Sequence, residues 1–256
     1  MPLHGPIRVA AAGDIHASEE FAGRTAEAFR SLPGDVDLVL LAGDLTTYGE
    51  PEQAAVVAEA CRGLSQPVVA VLGNHDWHAN RRDELVTVLE RTGIVVLDPG
   101  WTTFDVDGTT VGVAGAKGFV GGFPDSQLPD FGEPSLRRVY AETTAEVRAI
   151  SAGLDAIAGC DHRIVLLHYA PTTTTLEGEP RVIWAFLGTD RMAPPIAEHR
   201  PDLVLHGHAH AGRLRGTIAD VPVYNVSVPV MQRDFWLFEL TGAVAQRPAD
   251  VTLGTA

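Results

Sequence analysis

Cysteine is nearly absent: Cys61 and Cys160 are the only two in 256 residues, and they form no Cys-x-x-Cys spacing. One disulfide is the arithmetic maximum, and free buried thiols in a cytoplasmic protein are the expectation. Basic residues are also scarce, 19 Lys and Arg against 33 Asp and Glu, for a net charge of −14. That balance argues against a protein that coats nucleic acid, because such binding needs Lys and Arg to neutralise phosphates. No apolar run approaches the ~20 residues that span a bilayer. The opening MPLHGPIRVAAAGDIH lacks a basic segment followed by an apolar stretch and a cleavage site. No membrane partner is expected, and no oligomeric state is assigned.

What is present is ordinary globular composition, 45% apolar and 20% charged. With no repeat and no linker, residues 1–256 read as one domain. Its informative regularity is a strand signal that recurs five times and ends each time in a polar loop. Ile7–Ala12 leads into Gly13-Asp14-Ile15-His16, and Leu38–Ala42 into Gly43-Asp44. Val68–Leu72 leads into Gly73-Asn74-His75-Asp76, Ile164–Leu167 into His168, and Leu203–Leu205 into His206-Gly207-His208-Ala209-His210. Continuous apolar runs of this length fit strands buried on both faces. Helical patterns lie near 19–31, 51–63, 80–92 and 135–158. In open α/β sheets, ligands collect beyond the carboxyl ends of the strands. If the five strands share one sheet, their loops converge on one cleft.

A second strand set, Ile94–Leu97, Thr102–Val106, Thr110–Ala114, Val221–Val226 and Trp236–Leu240, contains the hairpin signal Asp107-Gly108. It suggests a second, largely antiparallel sheet packed on the first. The expected fold is α/β, a four-layer αββα sandwich of two mixed β-sheets flanked by helices.

The polar loops supply Asp14, His16, Asp44, Asn74, His168, His208 and His210 as ligand-type side chains. Imidazole with carboxylate suits borderline transition metals such as Mn, Fe or Zn. Seven such groups exceed one ordinary site and suit two metals sharing a bridging carboxylate. Two cations ~3.5–4 Å apart clamp both oxygens of an in-line displacement at phosphorus. Bound cations also make a cleft locally positive on an acidic protein. A lone His16 or His168 would read as a structural histidine; their arrival in five matching blocks favours ligation. His206 reads equally as a strand-end hydrogen-bonder or a support for a ligand, and His4, His162 and His199 read as surface or loop residues.

Asp14-x-His16, Gly43-Asp44, Gly73-Asn74-His75-Asp76, His168 and Gly207-His208-x-His210 occur in the order that resembles the calcineurin-like metallophosphoesterases. The resemblance runs from residue 13 to 210. It implies that Asp14, His16 and His210 hold one metal, that Asn74, His168 and His208 hold the other, and that Asp44 bridges them. It implies also that His75 meets the phosphate or leaving oxygen as general acid, with Asp76 orienting it.

Protein Ser/Thr phosphatases of this superfamily carry Asp-Arg-Gly after the Gly-Asp and Glu after the Gly-Asn-His; this chain has neither. Gly-Asp-Leu-Thr-Thr-Tyr-Gly-Glu-Pro-Glu is similar instead to the bacterial phosphodiesterase branch. That branch places Arg soon after Gly-Asn-His-Asp, where this chain has Trp77-His78, with Arg81 and Arg82 a turn later. The departure points away from cyclic nucleotides. The resemblance therefore implies metal-dependent hydrolysis of a small phosphate ester, a phosphodiester first. A phosphomonoesterase, a nuclease, a nucleotide-sugar pyrophosphate hydrolase and a non-catalytic metal-binding scaffold are the alternatives. Gly- and Pro-bearing loops at 115–134 and 171–188 are candidate lids on opposite walls. Trp77, His78, Lys117, Phe119 and Phe123 are candidate substrate contacts.

Overall fold

The computed structural model describes residues 5–241, so His4 lies outside the described residues. The strands are β1 (Ile7–Ala12), β2 (Leu38–Ala42), β3 (Val68–Val71), β4 (Val95–Val96), β5 (Gly100–Val106), β6 (Thr109–Ala116), β7 (His162–Leu167), β8 (Leu203–His206), β9 (Arg215–Ile218), β10 (Val221–Asn225) and β11 (Trp236–Leu240). The helices are α1 (Ala22–Arg30), α2 (Pro51–Cys61), α3 (Arg82–Glu90), α4 (Pro134–Ala156), α5 (Trp184–Leu187), α6 (Ala193–His199) and α7 (Val228–Met231). One sheet runs β11-β1-β2-β3-β4 and the other β5-β6-β7-β8-β10-β9.

Successive side chains of a strand point to opposite faces, and here both faces are covered. In β2, Leu40 faces the other sheet while Val39 and Leu41 face α1, α2 and α3. In β7, Ile164 and Leu166 face the first sheet, whereas Val165 and Leu167 meet Ile150 and Leu154 of α4 and Ile196 of α6. The result is the expected αββα order. The hairpin at Asp107-Gly108 also forms, with both residues at positive φ, 50° and 85°.

Sheet membership departs from the sequence reading. The strands before His168 and His206, β7 and β8, belong to the second sheet, which is therefore mostly parallel at its centre. Conversely, β4 pairs with β3, and β11 closes the first sheet against β1. A strand buried on both faces reads the same in either sheet, so apolar texture does not sort them. His162 opens β7 and is buried rather than superficial, while His199 is half-buried at the end of α6. Cys61 is buried, Cys160 is only half-buried, and both are free thiols. Among the described residues no helix is long and apolar enough to cross a membrane.

Candidate metal centre

Because the parallel strands of the two stacked sheets deliver their carboxyl ends to the same edge, five loops from two sheets still meet. The backbone there is forced. Asp14, His16, Asp44 and His208 all adopt positive φ, 58°, 48°, 48° and 70°. Left-handed conformations at non-glycine residues cost energy and cluster where geometry serves function. Neighbouring glycines make the approach possible. A Cβ on Gly43, at φ 80°, would lie 2.6 Å from His168 Nδ1, and one on Gly73 would collide with the Asp44 carboxylate.

Three overlapping groups of ligand-type atoms result, each within 4.8 Å: Asp14, His16 and His210; His16, Asp44 and His75; Asp44, His168 and His208. Asp44 stands at the centre. Its Oδ2 lies 3.8 Å from His16 Nε2 and 3.9 Å from His75 Nε2, and its Oδ1 lies 3.3 Å from His168 Nε2. Asn74 Oδ1 is 2.9 Å from His168 Nε2, and Asp14 Oδ1 is 2.8 Å from His210 Nε2. The structure thus gathers all seven ligand-type residues and His75.

Backbone groups aim several of the rings. His168 Nδ1 is 2.9 Å from the Ala42 carbonyl, which leaves Nε2 toward Asp44. His208 Nε2 is 3.1 Å from the Phe186 carbonyl, which leaves Nδ1 as its ligand atom. His206 is fully buried, bonded at Nδ1 to the Gly207 carbonyl and at Nε2 to Thr175 Oγ1. It braces the loop.

Burial pushes the Asp44 carboxyl up to about 6 against the pull of His168, with the Asp14 and Asp76 carboxylates adding to the rise. Burial also raises Asp14, but the His210 hydrogen bond and the charges of His168 and His210 outweigh it and hold Asp14 at about 2. Burial lowers His16 to about 4 and His208 to about 3, whereas the bond to Asp14 raises His210. The lowered His16 and His208 rings and the lowered Asp14 carboxyl favour the unprotonated forms that metal ligation requires, whereas the raised Asp44 and His210 would give up protons to a cation. The donor set fits two cations.

Asp76 does not orient His75. Its carboxylate is fully buried and accepts from Leu45 N at 3.2 Å, Thr46 N at 2.9 Å, Thr46 Oγ1 at 2.7 Å and Gly73 N at 2.8 Å. It ties the Asp44 loop to the Asn74 loop, while His75 Nδ1 lies 2.8 Å from the Thr47 carbonyl. The short 3₁₀ turn His75–Trp77 explains this, because it carries adjacent side chains to different sides. Thr46 and Thr47, which bond Asp76 and His75, carry no signal in the sequence beyond their place directly after Gly43-Asp44-Leu45.

The candidate substrate contacts divide. Trp77 and His78 are exposed at the rim, and the His78 ring lies 4.3 Å from that of His75. Lys117 is buried, its Nζ 3.0 Å from the Gly118 carbonyl, 3.5 Å from Glu142 Oε1 and 4.0 Å from the centre of the Phe119 ring. Together with Trp77 it borders a cleft of about 660 Å³ whose other cations, Arg81 and Arg82, are already paired with carboxylates. Phe123 is 1% exposed. It is buried against Ala170, Leu176, Leu187 and Ala209. The two loops are bonded to each other: Gly122 N donates to the Gly188 carbonyl at 2.8 Å and Gly121 N to that of Ala185 at 3.2 Å.

Residues 7–212 match the model of the calcineurin-like phosphoesterases, and the chain belongs to that family of ester hydrolases. No relative with a curated description matches the sequence. The fold is shared with phosphopantetheinyl hydrolase (PptH) from Mycobacterium tuberculosis, at 16% identity and a TM-score of 0.67 over 91% of this chain and 96% of that one. It is shared also with TT1561 of Thermus thermophilus, at 17% identity and a TM-score of 0.54 over 91% and 99%.

Proposed function

We propose that this protein hydrolyses a small phosphodiester at two metal ions, one held by Asp14, His16 and His210, the other by Asn74, His168 and His208, with Asp44 bridging. The observation that carries the reading is the Asp44 carboxylate, whose two oxygens face opposite halves of the cluster, His16 and His75 on one side and His168 on the other. Bound there, Mn, Fe or Zn ions polarise phosphoryl oxygens and lower the pKa of water.

The chain's own residues do the rest. With Nδ1–H donated to the Thr47 carbonyl, a protonated His75 presents its Nε2–H toward the cluster, where it passes a proton to the departing oxygen. Asp76 holds the Asp44 and Asn74 loops in register. The preference for a diester is supported by the neighbouring cations: Arg81, Arg82 and Lys117 are each engaged by protein acceptors, so none of these three is left unpaired for the second charge of a dianionic monoester. The test is hydrolysis by the pure protein reloaded with Mn, Zn or Fe. Bis(4-nitrophenyl) phosphate should turn over faster than 4-nitrophenyl phosphate, and Asp44→Asn should abolish both; no turnover of either ester above background refutes the reading.

A further inference from the structure

Asp14 and His16 have a second environment. Besides facing the cluster they wall a cleft of about 260 Å³ between α1 and the segment 228–235. The remainder of its lining is chiefly apolar, with Phe21, Phe29, Val228 and Phe235 prominent. Phe29 meets Phe235 edge to face at 5.1 Å, which fixes that wall. Phe21 is 53% exposed, an aromatic ring left in water. The charged lining residues Arg24 and Asp234 face each other at 3.5 Å, and the Thr25 hydroxyl already donates to the Phe21 carbonyl at 3.2 Å.

A cleft of this make-up offers little to a sugar or a nucleobase, whose polar groups would be desolvated without partners. It does offer apolar walls that begin at two of the metal-type ligands. Its volume falls below the ~300 Å³ at which drug-sized pockets start, which suits a single ring or a short alkyl chain. We infer that this cleft is the subsite for a hydrophobic ester arm, so that the substrate class is a phosphodiester with one apolar alcohol or phenol component. The phosphodiester part rests on the function proposed above; the apolar preference is read from the cleft itself.

Calorimetry on the metal-loaded full chain tests it, with phenylphosphonate and methylphosphonate as probes. Phenylphosphonate should bind about tenfold tighter, the effect of burying one ring beside a shared anion site. Ala28→Phe, which fills the cleft from α1, should bring the ratio close to one, and Phe21→Ser should reduce it, both with the metal content of the parent. Because Phe21 lies at the surface, its variant keeps the test decisive if Ala28→Phe fails to fold. Equal binding of the two phosphonates, or a ratio unchanged in both variants, overturns the subsite. Hydrolysis of bis(4-nitrophenyl) phosphate is read on the same preparations. Hydrolysis without a phenyl preference removes the subsite alone, whereas a phenyl preference without hydrolysis supports the subsite and removes the phosphodiesterase reading.

Discussion

His75 keeps its Nδ1 2.8 Å from the carbonyl oxygen of Thr47, on the loop that follows β2. That bond fixes the ring's donor side and turns Nε2 toward Asp44. For His75→Gln, kcat should fall about 10²- to 10⁴-fold, with metal content intact. The loss should be greatest for esters with poor leaving groups, since nitrophenolate needs little protonation. Steady-state kinetics on methyl and 4-nitrophenyl esters, beside metal analysis, checks both statements. An equal loss on both esters would argue against proton transfer.

Asp76 should behave differently, because its carboxylate serves two loops rather than the substrate. Asp76→Asn places an amide against backbone donors from Leu45, Thr46 and Gly73. A cost of about 3 kcal/mol is expected, which lowers Tm by roughly 6–12 °C in a chain of this length. Thermal unfolding by circular dichroism reads it.

The five motif blocks were visible in the sequence because each follows an apolar strand and each needs a glycine or a polar side chain at its tip. The layered architecture followed from the same periodicity. Which sheet β7, β8 and β11 join was hidden, since doubly buried strands share one texture and pairing partners are distant in sequence. Phe123 looked available in a glycine-rich loop, yet the backbone bond from Gly122 N to the Gly188 carbonyl joins that loop to the next, and Phe123 is buried among Ala170, Leu176, Leu187 and Ala209. The wall formed by Phe21, Phe29 and Phe235 was equally hidden: its members come from opposite ends of the chain and meet through β11 pairing with β1.

Gly73 allows the Asp44 carboxylate to sit where it does. In Gly73→Ala the new methyl collides with Asp44 Oδ1 and its backbone nitrogen. The variant should retain its circular-dichroism spectrum but bind fewer than two metals per chain, as counted by inductively coupled plasma mass spectrometry. Retention of full metal content would show that the loop relaxes without disturbing Asp44.

Glu146 sets a further pH dependence through the Lys117–Gly118 segment. Burial pushes its carboxyl up to about 7, against the attraction of Lys117 and the hydrogen bond from Gly118 N. A folded-state value above the unfolded one means that the folded chain holds the proton more tightly. This stability is full below about pH 4.5 and is lost as pH rises through about 7, on the order of 3 kcal/mol. Glu146→Gln should therefore raise the urea midpoint at pH 8 and leave it nearly unchanged at pH 4.5. An equal shift at both values would contradict the assignment.

The bridging place of Asp44 is the claim on which the chemistry depends. Anomalous scattering from crystals grown with Mn tests it most directly. Two peaks per chain, ~3.5–4 Å apart with Asp44 in contact with both, are predicted; a single peak, or two peaks that Asp44 does not join, would contradict the account.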